Sequence, residues 1–385
     1  MRVVIAGDFA PRARLAKQIE EERFSEIFSE DLCQLLKTAD FSFVNFESPV
    51  VKDKYKPIIK CGPHLKSTSK AVEAVKFAGF TGVTLSNNHI LDYGEEGLLN
   101  SVETFTRNGL DTVGVGCNVD DAGKVLYLEK DGSRLAVINC CEHEFSIASD
   151  KTAGANPLHP VRQFYAIQEA KHNADHVLVI VHGGHEYFQL PSPRMVETYR
   201  FFIDAGADAV VNHHQHCYSG FETYKGKPIC YGLGNFGFDW EGKEPDSLWN
   251  YGYMLEIVFE EPINTVVFPY CQYADEATIK MLEQNAFDEH LKHLNSIICD
   301  KKRLNQAIEA YYAQESPKEL ALFEPYRGRV LRKLYRLGLL PTLFKGRNKQ
   351  AVLNHIMCEA HRDKLEYALT RKEIKAQKKQ TSAFK

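Results

Sequence analysis

The chain of 385 residues has no apolar run approaching the roughly 20 residues that a membrane-spanning helix requires, and its first apolar stretch, "RVVIAG", turns polar at Asp8. Neither a membrane span nor a cleaved leader is therefore expected. No CxxC pair occurs among the ten cysteines, which argues against a zinc ribbon. Cys140 and Cys141 follow "LAVIN" and Cys230 sits in "KPICYG", so reduced core thiols are expected rather than the disulfide framework of a small secreted domain. There is no GxSxG elbow for a serine nucleophile. "GVGCN" lacks both GxGxxG spacing and a Lys-Ser/Thr ending, which weakens a phosphate-loop reading. Internal repeats and low-complexity segments are also missing.

What is present is the composition of an ordinary folded protein, with 44% hydrophobic and 25% charged residues. The length suits one large domain with an appendage, or two domains. The net charge of −4 conceals an asymmetry. Residues 326–385 carry 16 Lys and Arg against 4 Asp and Glu, a balance of +12 that leaves −16 for residues 1–325. Such a basic, Leu-containing tail could meet an anionic surface, or simply be a solvated face against the acidic body.

Short Val- and Ile-rich runs recur through the first 240 residues: "RVVIAG", "FSFVNF", "GVTLS", "DTVGVG", "RLAVINC", "HVLVIVHGG" and "DAVVNHH". Near-continuous apolar runs of this kind predict strands buried on both faces. Helical spacing fills the intervals, over 12–36, 69–78, 95–108, 161–172 and 193–205. The alternation predicts a layered α/β fold. From 218 to 269 the pattern changes to hairpin-linked strands, with "YKGKP" as a turn. After about residue 271 it becomes helical. The expected domains are 1–270, an α/β body, and 271–385, a helical and basic extension.

The strand ends are the informative places. Asp8 closes the first run; Asn45 and Glu47 close the second; Asn87, Asn88 and His89 follow "GVTLS"; His182, His185 and Glu186 follow "HVLVIV"; His213, His214 and His216 follow "DAVVN". In an open α/β sheet the binding crevice lies outside the carboxyl ends of the strands, so these five groups are expected to converge. Imidazole nitrogen with carboxylate or amide oxygen is a ligand set for Zn, Fe or Mn. Two such ions would clamp a phosphoryl or acyl centre and activate water near neutral pH. His213, one residue out of phase with His214 on the strand, is expected to point away from the group.

The motifs "GD" at 7–8, "NFE" at 45–47, "SNNH" at 86–89, "HGGHEY" at 182–187, "DAGAD" at 204–208, "HQH" at 214–216, "YKGKPI" at 224–229 and "LGNF" at 233–236 follow one another in an order that resembles the CapA family. These are poly-γ-glutamate capsule synthesis proteins of the calcineurin-like metallophosphatase superfamily. The resemblance covers roughly residues 1 to 260. It implies a metallophosphatase-like layered α/β sandwich and a divalent metal site of one or two ions (Mn, Zn or Fe). The ligands implied are Asp8, Glu47 in the bridging position, Asn88, His182, His214 and His216. His89, His185 and Glu186 are implied as acid–base candidates, and Asn45, Asn87, Tyr187 and Asn235 as pocket residues that meet the substrate.

Three departures accompany the likeness. Ala10 stands where the superfamily has the His of an Asp-x-His block, so one metal loses an imidazole. Gly183 replaces a Trp and Gln215 a Pro, changes expected to open the pocket wall and loosen the His-x-His turn. The function implied is metal-dependent hydrolysis of a phosphoester or amide-like bond in capsule or poly-γ-glutamate biosynthesis, with a non-catalytic scaffold on the same fold as the alternative. The partners implied are a polyanionic polymer or phosphoester substrate, and an anionic membrane surface or synthase complex met by 326–385. No specific nucleic acid is expected. The location expected is cytoplasmic, peripheral to the inner face of the membrane.

Overall fold

The structure, a computed structural model, describes residues 1–240, 242–320, 323–326, 328–357, 361, 362 and 365. Two large sheets carry it. The first runs from edge to edge through Ile279–Met281, Asn264–Gln272, Tyr251–Val258, Arg2–Phe9, Phe41–Phe46, Gly82–Thr84 and Asp111–Val113, and Asn235–Gly237 also pairs with Arg2–Phe9. The second runs through Phe221–Tyr224, Lys227–Cys230, Ala209–His213, His176–His182, Ser133–Cys141 and Leu126–Lys130. Within each, the central strands are parallel. Their near-unbroken Val, Ile and Leu content follows from that, because parallel strands are covered on both faces. Val3 to Ala6, Phe43, Val44 and Val177 to Val181 are fully enclosed.

The helices Ser69–Ala78, Gly94–Arg107, Pro160–Asn173 and Pro193–Asp204 fall within a residue or two of where periodicity places them. The first one does not. The expected helical stretch 12–36 is three helices, Ala13–Glu20, Phe24–Ile27 and Glu30–Thr38. The break comes at Glu22, which takes φ +57°. Its N–H donates to the Ile19 carbonyl and that of Arg23 to the Gln18 carbonyl, the paired closure of a helix C-terminus, here made without glycine. "DTVGVG" also divides. Gly114 turns the chain at φ +97°, with Asn139 Oδ1 only 2.2 Å from where a Cβ would stand, and Val115–Gly116 leaves the sheet to pair with Gly154–Ala155.

The "YKGKP" hairpin forms as expected, with Lys225 and Gly226 both at positive φ between the strands Phe221–Tyr224 and Lys227–Cys230. Strand structure continues past residue 271, to Gln272 and again at Ile279–Met281. The helix Gln284–Ile298 packs Phe287 against the Tyr218 ring at 4.5 Å, while Asn295 Oδ1 accepts from the Phe221 N–H at 2.8 Å. The chain separates into two compact units, Met1–Asn305 and Gln306–Lys385. The second contains the helices Gly328–Arg336 and Gly346–Met357. Of the basic segment 326–385, residues 327, 358–360, 363, 364 and 366–385 lie outside the described residues. No helix among the described residues is long and apolar enough to cross a membrane. The described cysteines are all free thiols, six of them buried.

Two polar struts hold the layers in register. His213 Nε2–H donates to the Ala6 carbonyl at 2.9 Å, joining the last residue of one sheet's strand to the central strand of the other. Burial pushes the His213 imidazole down to about 4, so it stays neutral. Asp208 of "DAGAD" accepts from Val177 N at 2.9 Å, Lys171 Nζ at 3.1 Å and Lys227 Nζ at 2.8 Å, tying a helix and two strands to one carboxylate. Burial alone would raise this carboxyl, yet the three donors outweigh it and hold the pKa below the usual range. A carboxyl depressed in the folded state stabilises above its unfolded pKa and loses that contribution as pH falls through the folded value. Asp208→Asn is thus expected to cost about 1–3 kcal/mol at pH 7. The difference from the parent should shrink below about pH 4 in urea titrations at graded pH.

Candidate metal centre

The centre starts from a break in register. Strand Arg2–Phe9 pairs in parallel with Phe41–Phe46, but the register shifts between Ala6 and Asp8, skipping Gly7. A Cβ on Gly7 would lie 1.9 Å from the Gly234 carbonyl oxygen, so only glycine fits. The bulge re-aims the next side chain, which is Asp8, level with Asn45 on one side and Asn235 on the other. This is the structural content of the "GD" motif. Glu47 follows directly, its N–H bonded to the Phe9 carbonyl at 2.9 Å.

Five strand ends do converge. Glu47 Oε1 stands 3.6 Å from His182 Nε2 and 3.8 Å from His216 Nε2. Asp8 Oδ2 is 3.6 Å from His216 Nδ1 and accepts from the His214 backbone N–H at 3.1 Å. His182 Nε2 lies 3.1 Å from both Asn88 Oδ1 and His214 Nδ1. Two sets of donors result, Glu47 with His182 and His214, and Asp8 with Glu47 and His216, each with ligand atoms within 4.8 Å of one another. Glu47 belongs to both sets. All six residues, Asn88 included, are buried.

The electrostatics of this cluster are unbalanced. Both carboxylate oxygens of Glu47 are buried and accept no hydrogen bond. Burial first, then the charges of Asp8, Glu186 and Glu144, raise its carboxyl well above the usual range. Asp8 is pushed up to about 7 by burial, against the opposing hydrogen bonds from Asn45 and His214 N–H. The imidazoles shift the other way. Burial and the neighbouring imidazoles hold His182 well below 6.5 and His216 at about 3. Neutral nitrogen beside unpartnered carboxylate is the donor set a divalent cation satisfies, and a buried carboxylate with no donor is costly otherwise. The residues present therefore fit a divalent metal. Cys217, beside the cluster, does not join it, since burial pushes its thiol up to about 12.

Each remaining candidate has a definite place. Asn235 Oδ1 lies 2.9 Å from His216 Nδ1 and its amide nitrogen donates to the His216 and Trp249 carbonyls, which turns His216 Nε2 toward Glu47. Asn45 donates to Asp8 Oδ1 at 2.7 Å and lies 3.2 Å from His182 Nδ1, beneath the ligands. Asn87 braces the turn after Gly82–Thr84: its amide donates to the Phe46 carbonyl and its Oδ1 accepts from His89 N–H. Tyr187 is half-exposed at the rim, its ring 6.1 Å from that of His216. Glu186 is exposed, yet near enough for its charge to raise both Asp8 and Glu47. His185 is partly buried beside Glu142 and Arg194, and its pKa is lowered by that burial.

His89 is buried with its Nδ1 2.7 Å from Asp92 Oδ2. Lys60 completes a triad: its ammonium pairs with Asp92 Oδ1 and lies 3.1 Å from His89 Nδ1. A histidine whose Nδ1–H is held by a carboxylate keeps Nε2 for proton exchange. Asp92, Lys60 and Glu144 were not read from the sequence. Glu144 Oε2 accepts from Asn88 Nδ2 at 3.0 Å, and its Oε1 is 3.8 Å from His214 Nε2, so it holds Asn88 and comes near His214 from a loop without periodicity. "SNNH" followed by Asp three residues later was the signal available for Asp92; none marks Lys60 or Glu144.

Two expectations about the wall are corrected. Gly183 does not open the pocket: Glu142 Cγ stands 2.6 Å from where a Cβ would be, held there by Arg194. Gln215 does not loosen its turn, because its side chain donates to the Phe188 carbonyl at 2.9 Å and its own carbonyl accepts from Tyr187 N–H at 2.7 Å. His214 at φ +92°, His216 at +55° and Tyr187 at +62° are all in the left-handed region. Such strain, held in place by this network, is characteristic of functional sites. The missing imidazole at Ala10 is replaced by packing, since Ala10 lies in an apolar cluster with Leu65, Phe238 and Trp249.

The bacterial capsule synthesis protein family PGA_cap matches residues 2–240. The capsule biosynthesis protein CapA of Bacillus anthracis is 34% identical over 65% of this chain and 63% of its own length. The PGA biosynthesis protein CapA of Bacillus subtilis is 34% identical over 59% of this chain and 60% of its own. The chain thus spans less than two thirds of the relatives it matches. Among solved structures, a phosphatase from Mycoplasma pneumoniae aligns with TM-score 0.42 and 16% identity over 69% of this chain and 93% of that one.

An unpartnered carboxylate at the junction of two donor sets has opposite effects on folding and on metal binding. Replacing Glu47 by Gln removes a buried carboxyl that burial and Asp8 make costly to ionise, so in chelator the variant should melt no lower than the parent, with a gain of up to about 1–3 kcal/mol. In the presence of Mn or Zn the order should reverse, because only the parent gains stability from the cation. Thermal melts with and without metal read both signs.

Proposed function

The chain belongs to the bacterial capsule synthesis protein family PGA_cap, and from that premise we propose that it is a metal-dependent hydrolase acting on a phosphoester or amide-like bond in capsule or poly-γ-glutamate biosynthesis. One observation carries the reading: Glu47, buried with neither oxygen hydrogen-bonded, is shared by two sets of three donors. Asp8, Glu47 and His216 would hold one ion, and Glu47, His182 and His214, with Asn88, the other. Mn, Zn or Fe suits this mixture of carboxylate, amide and imidazole. A bound cation would supply Lewis acidity and lower the pKa of water at the reacting centre.

The protein's own groups supply the rest. Asn235 fixes His216 in orientation, and Glu144 holds Asn88, before substrate arrives. His89, whose Nδ1 lies 2.7 Å from Asp92 Oδ2, would exchange a proton with the leaving group through Nε2. Lys60, paired with the other oxygen of Asp92, holds that carboxylate in place and so keeps the histidine aligned. The walls around Asp8 and Glu47 exclude water, which strengthens every charge interaction inside.

A scaffold without turnover is the second reading, and Ala10 in place of an imidazole is the observation that favours it. Metal analysis of protein purified without chelator, combined with hydrolysis of a generic aryl phosphate in added Mn or Zn, separates the two. A hydrolase binds metal and turns over, and His182→Ala and His214→Ala lose both. Bound metal with turnover at background would establish the scaffold, and no bound metal would sink the metal reading.

For the basic segment 326–385 we propose docking on an anionic membrane surface. In the helix Gly328–Arg336, Arg329, Arg332, Lys333 and Arg336 accompany the exposed Val330 and Leu331. Removing the segment should abolish salt-sensitive sedimentation with phosphatidylglycerol vesicles. Undiminished sedimentation would make the charge only a solvated face.

A further inference from the structure

We infer that the turn between the helices Gly328–Arg336 and Gly346–Met357 is an apolar wedge that inserts Leu337, Leu339 and Leu343 into an anionic lipid surface, with the basic side chains of the flanking helices among the headgroups. The inference rests on the proposed docking of segment 326–385. It adds the residues that enter the lipid and a hold on it that salt does not screen.

The turn is braced from several sides. The first helix closes on Gly338 at φ +73°, where the Gly338 N–H donates to the Tyr335 carbonyl at 2.9 Å and the Leu339 N–H to that of Leu334 at 3.0 Å. The Tyr326 hydroxyl donates to the Pro341 carbonyl at 2.6 Å. Glu324 gathers the rest. Its Oε1 accepts from the Thr342 hydroxyl and its Oε2 from the Leu343 N–H at 2.8 Å, while the Phe344 N–H lies 3.2 Å from both oxygens. The Phe344 ring stacks on that of Phe323 at 5.0 Å. A turn fixed in this way has little conformational freedom left to lose on binding.

What the turn presents is apolar. Leu337 is 61% exposed, Leu339 67% and Leu343 52%. In a helix ending of this kind the residue after the glycine commonly packs back on the last turn, yet Leu339 stands in solvent. One exposed leucine is ordinary, whereas three within seven residues of a braced turn make a patch that calls for a partner.

The charge says which partner. Residues 325–358 carry eight Lys and Arg and no Asp or Glu. Glu324, the acid just before them, is only 3% exposed and is spent on holding the turn. A lipid surface offers what both features require, anionic headgroups outside and hydrocarbon just beneath. Nucleic acid would meet the cations and leave the leucines in water.

The test sediments the full-length protein with vesicles of mixed phosphatidylglycerol and phosphatidylcholine, at low salt and at high salt, where exposed charges are screened. The parent should keep part of its binding at high salt. Leu337→Ser, Leu339→Ser and Leu343→Ser combined should lose that part and weaken low-salt binding about tenfold or more. These side chains are exposed, so the substitutions leave folding intact. Arg332→Gln with Lys333→Gln should do the opposite, weakening low-salt binding and sparing the fraction that resists salt. Glu324→Ala makes the segment one charge more positive, so charge alone predicts tighter binding, whereas release of the turn predicts binding about threefold weaker. Parent-like binding at high salt in the serine variant, or tighter binding by Glu324→Ala, overturns the wedge and leaves docking by charge. Equal binding to pure phosphatidylcholine vesicles overturns the anionic partner and leaves the wedge, and no vesicle binding by the parent overturns both. Self-association of the parent without lipid, lost in the serine variant, assigns the leucines to a second copy and overturns the wedge. Binding of a DNA duplex in place of vesicles does the same.

Discussion

Two carboxylates, Asp8 and Glu47, are enclosed in the interior within reach of three imidazoles, of which burial keeps His182 and His216 neutral. Interiors of low dielectric do not tolerate uncompensated charge. Much of the surrounding structure can be understood as the means of holding that arrangement. The bulge at Gly7 aims Asp8, the amides of Asn45 and Asn235 align it and His216, and Glu144 steadies Asn88. None of these contacts discharges Glu47. The fold supplies geometry and leaves Glu47 without a donor, an arrangement that fits a divalent cation.

The sheets explain why so many polar groups can be assembled so tightly. Parallel strands deliver their carboxyl ends to one edge, and side chains there inherit the rigidity of the ladder. His213 contributes from outside both donor sets. Bonded to the Ala6 carbonyl, it pins one sheet to the other, so that His214 and Asp8 keep their spacing.

Much of this was legible in the sequence. Short Val- and Ile-rich runs ending in Asp8, Glu47, Asn88, His182 and His216 marked both the strands and their shared edge. Helices bounded by clear caps, such as Ser192 before Pro193–Asp204, were also placed well. The rest escaped for identifiable reasons. Glu22 closes a helix in a conformation that composition ascribes to glycine. Glu144 meets Asn88 across 56 residues and Lys60 meets His89 across 29, from loops whose course no period encodes. The filled wall at Gly183 depends on Glu142, which is distant in sequence and unremarkable in type. Strand-end residues are readable because a strand has a direction; loop residues are not, because a loop's course is set by what it packs against.

The contact between Gly7 and the Gly234 carbonyl also has a meaning in time. It places the first ligand-bearing strand beside Asn235, which lies near the end of the α/β body, and the Asp8 N–H bonds that same carbonyl at 3.0 Å. Closing a loop of that length is a late event in folding, since its entropic cost must be met before the contact returns anything. During synthesis the growing chain therefore exposes its histidines and acids long before they form a centre. Only when residue 235 has left the ribosome can the cluster of buried carboxylates and imidazoles close, so its geometry is a property of the finished body rather than of the nascent chain.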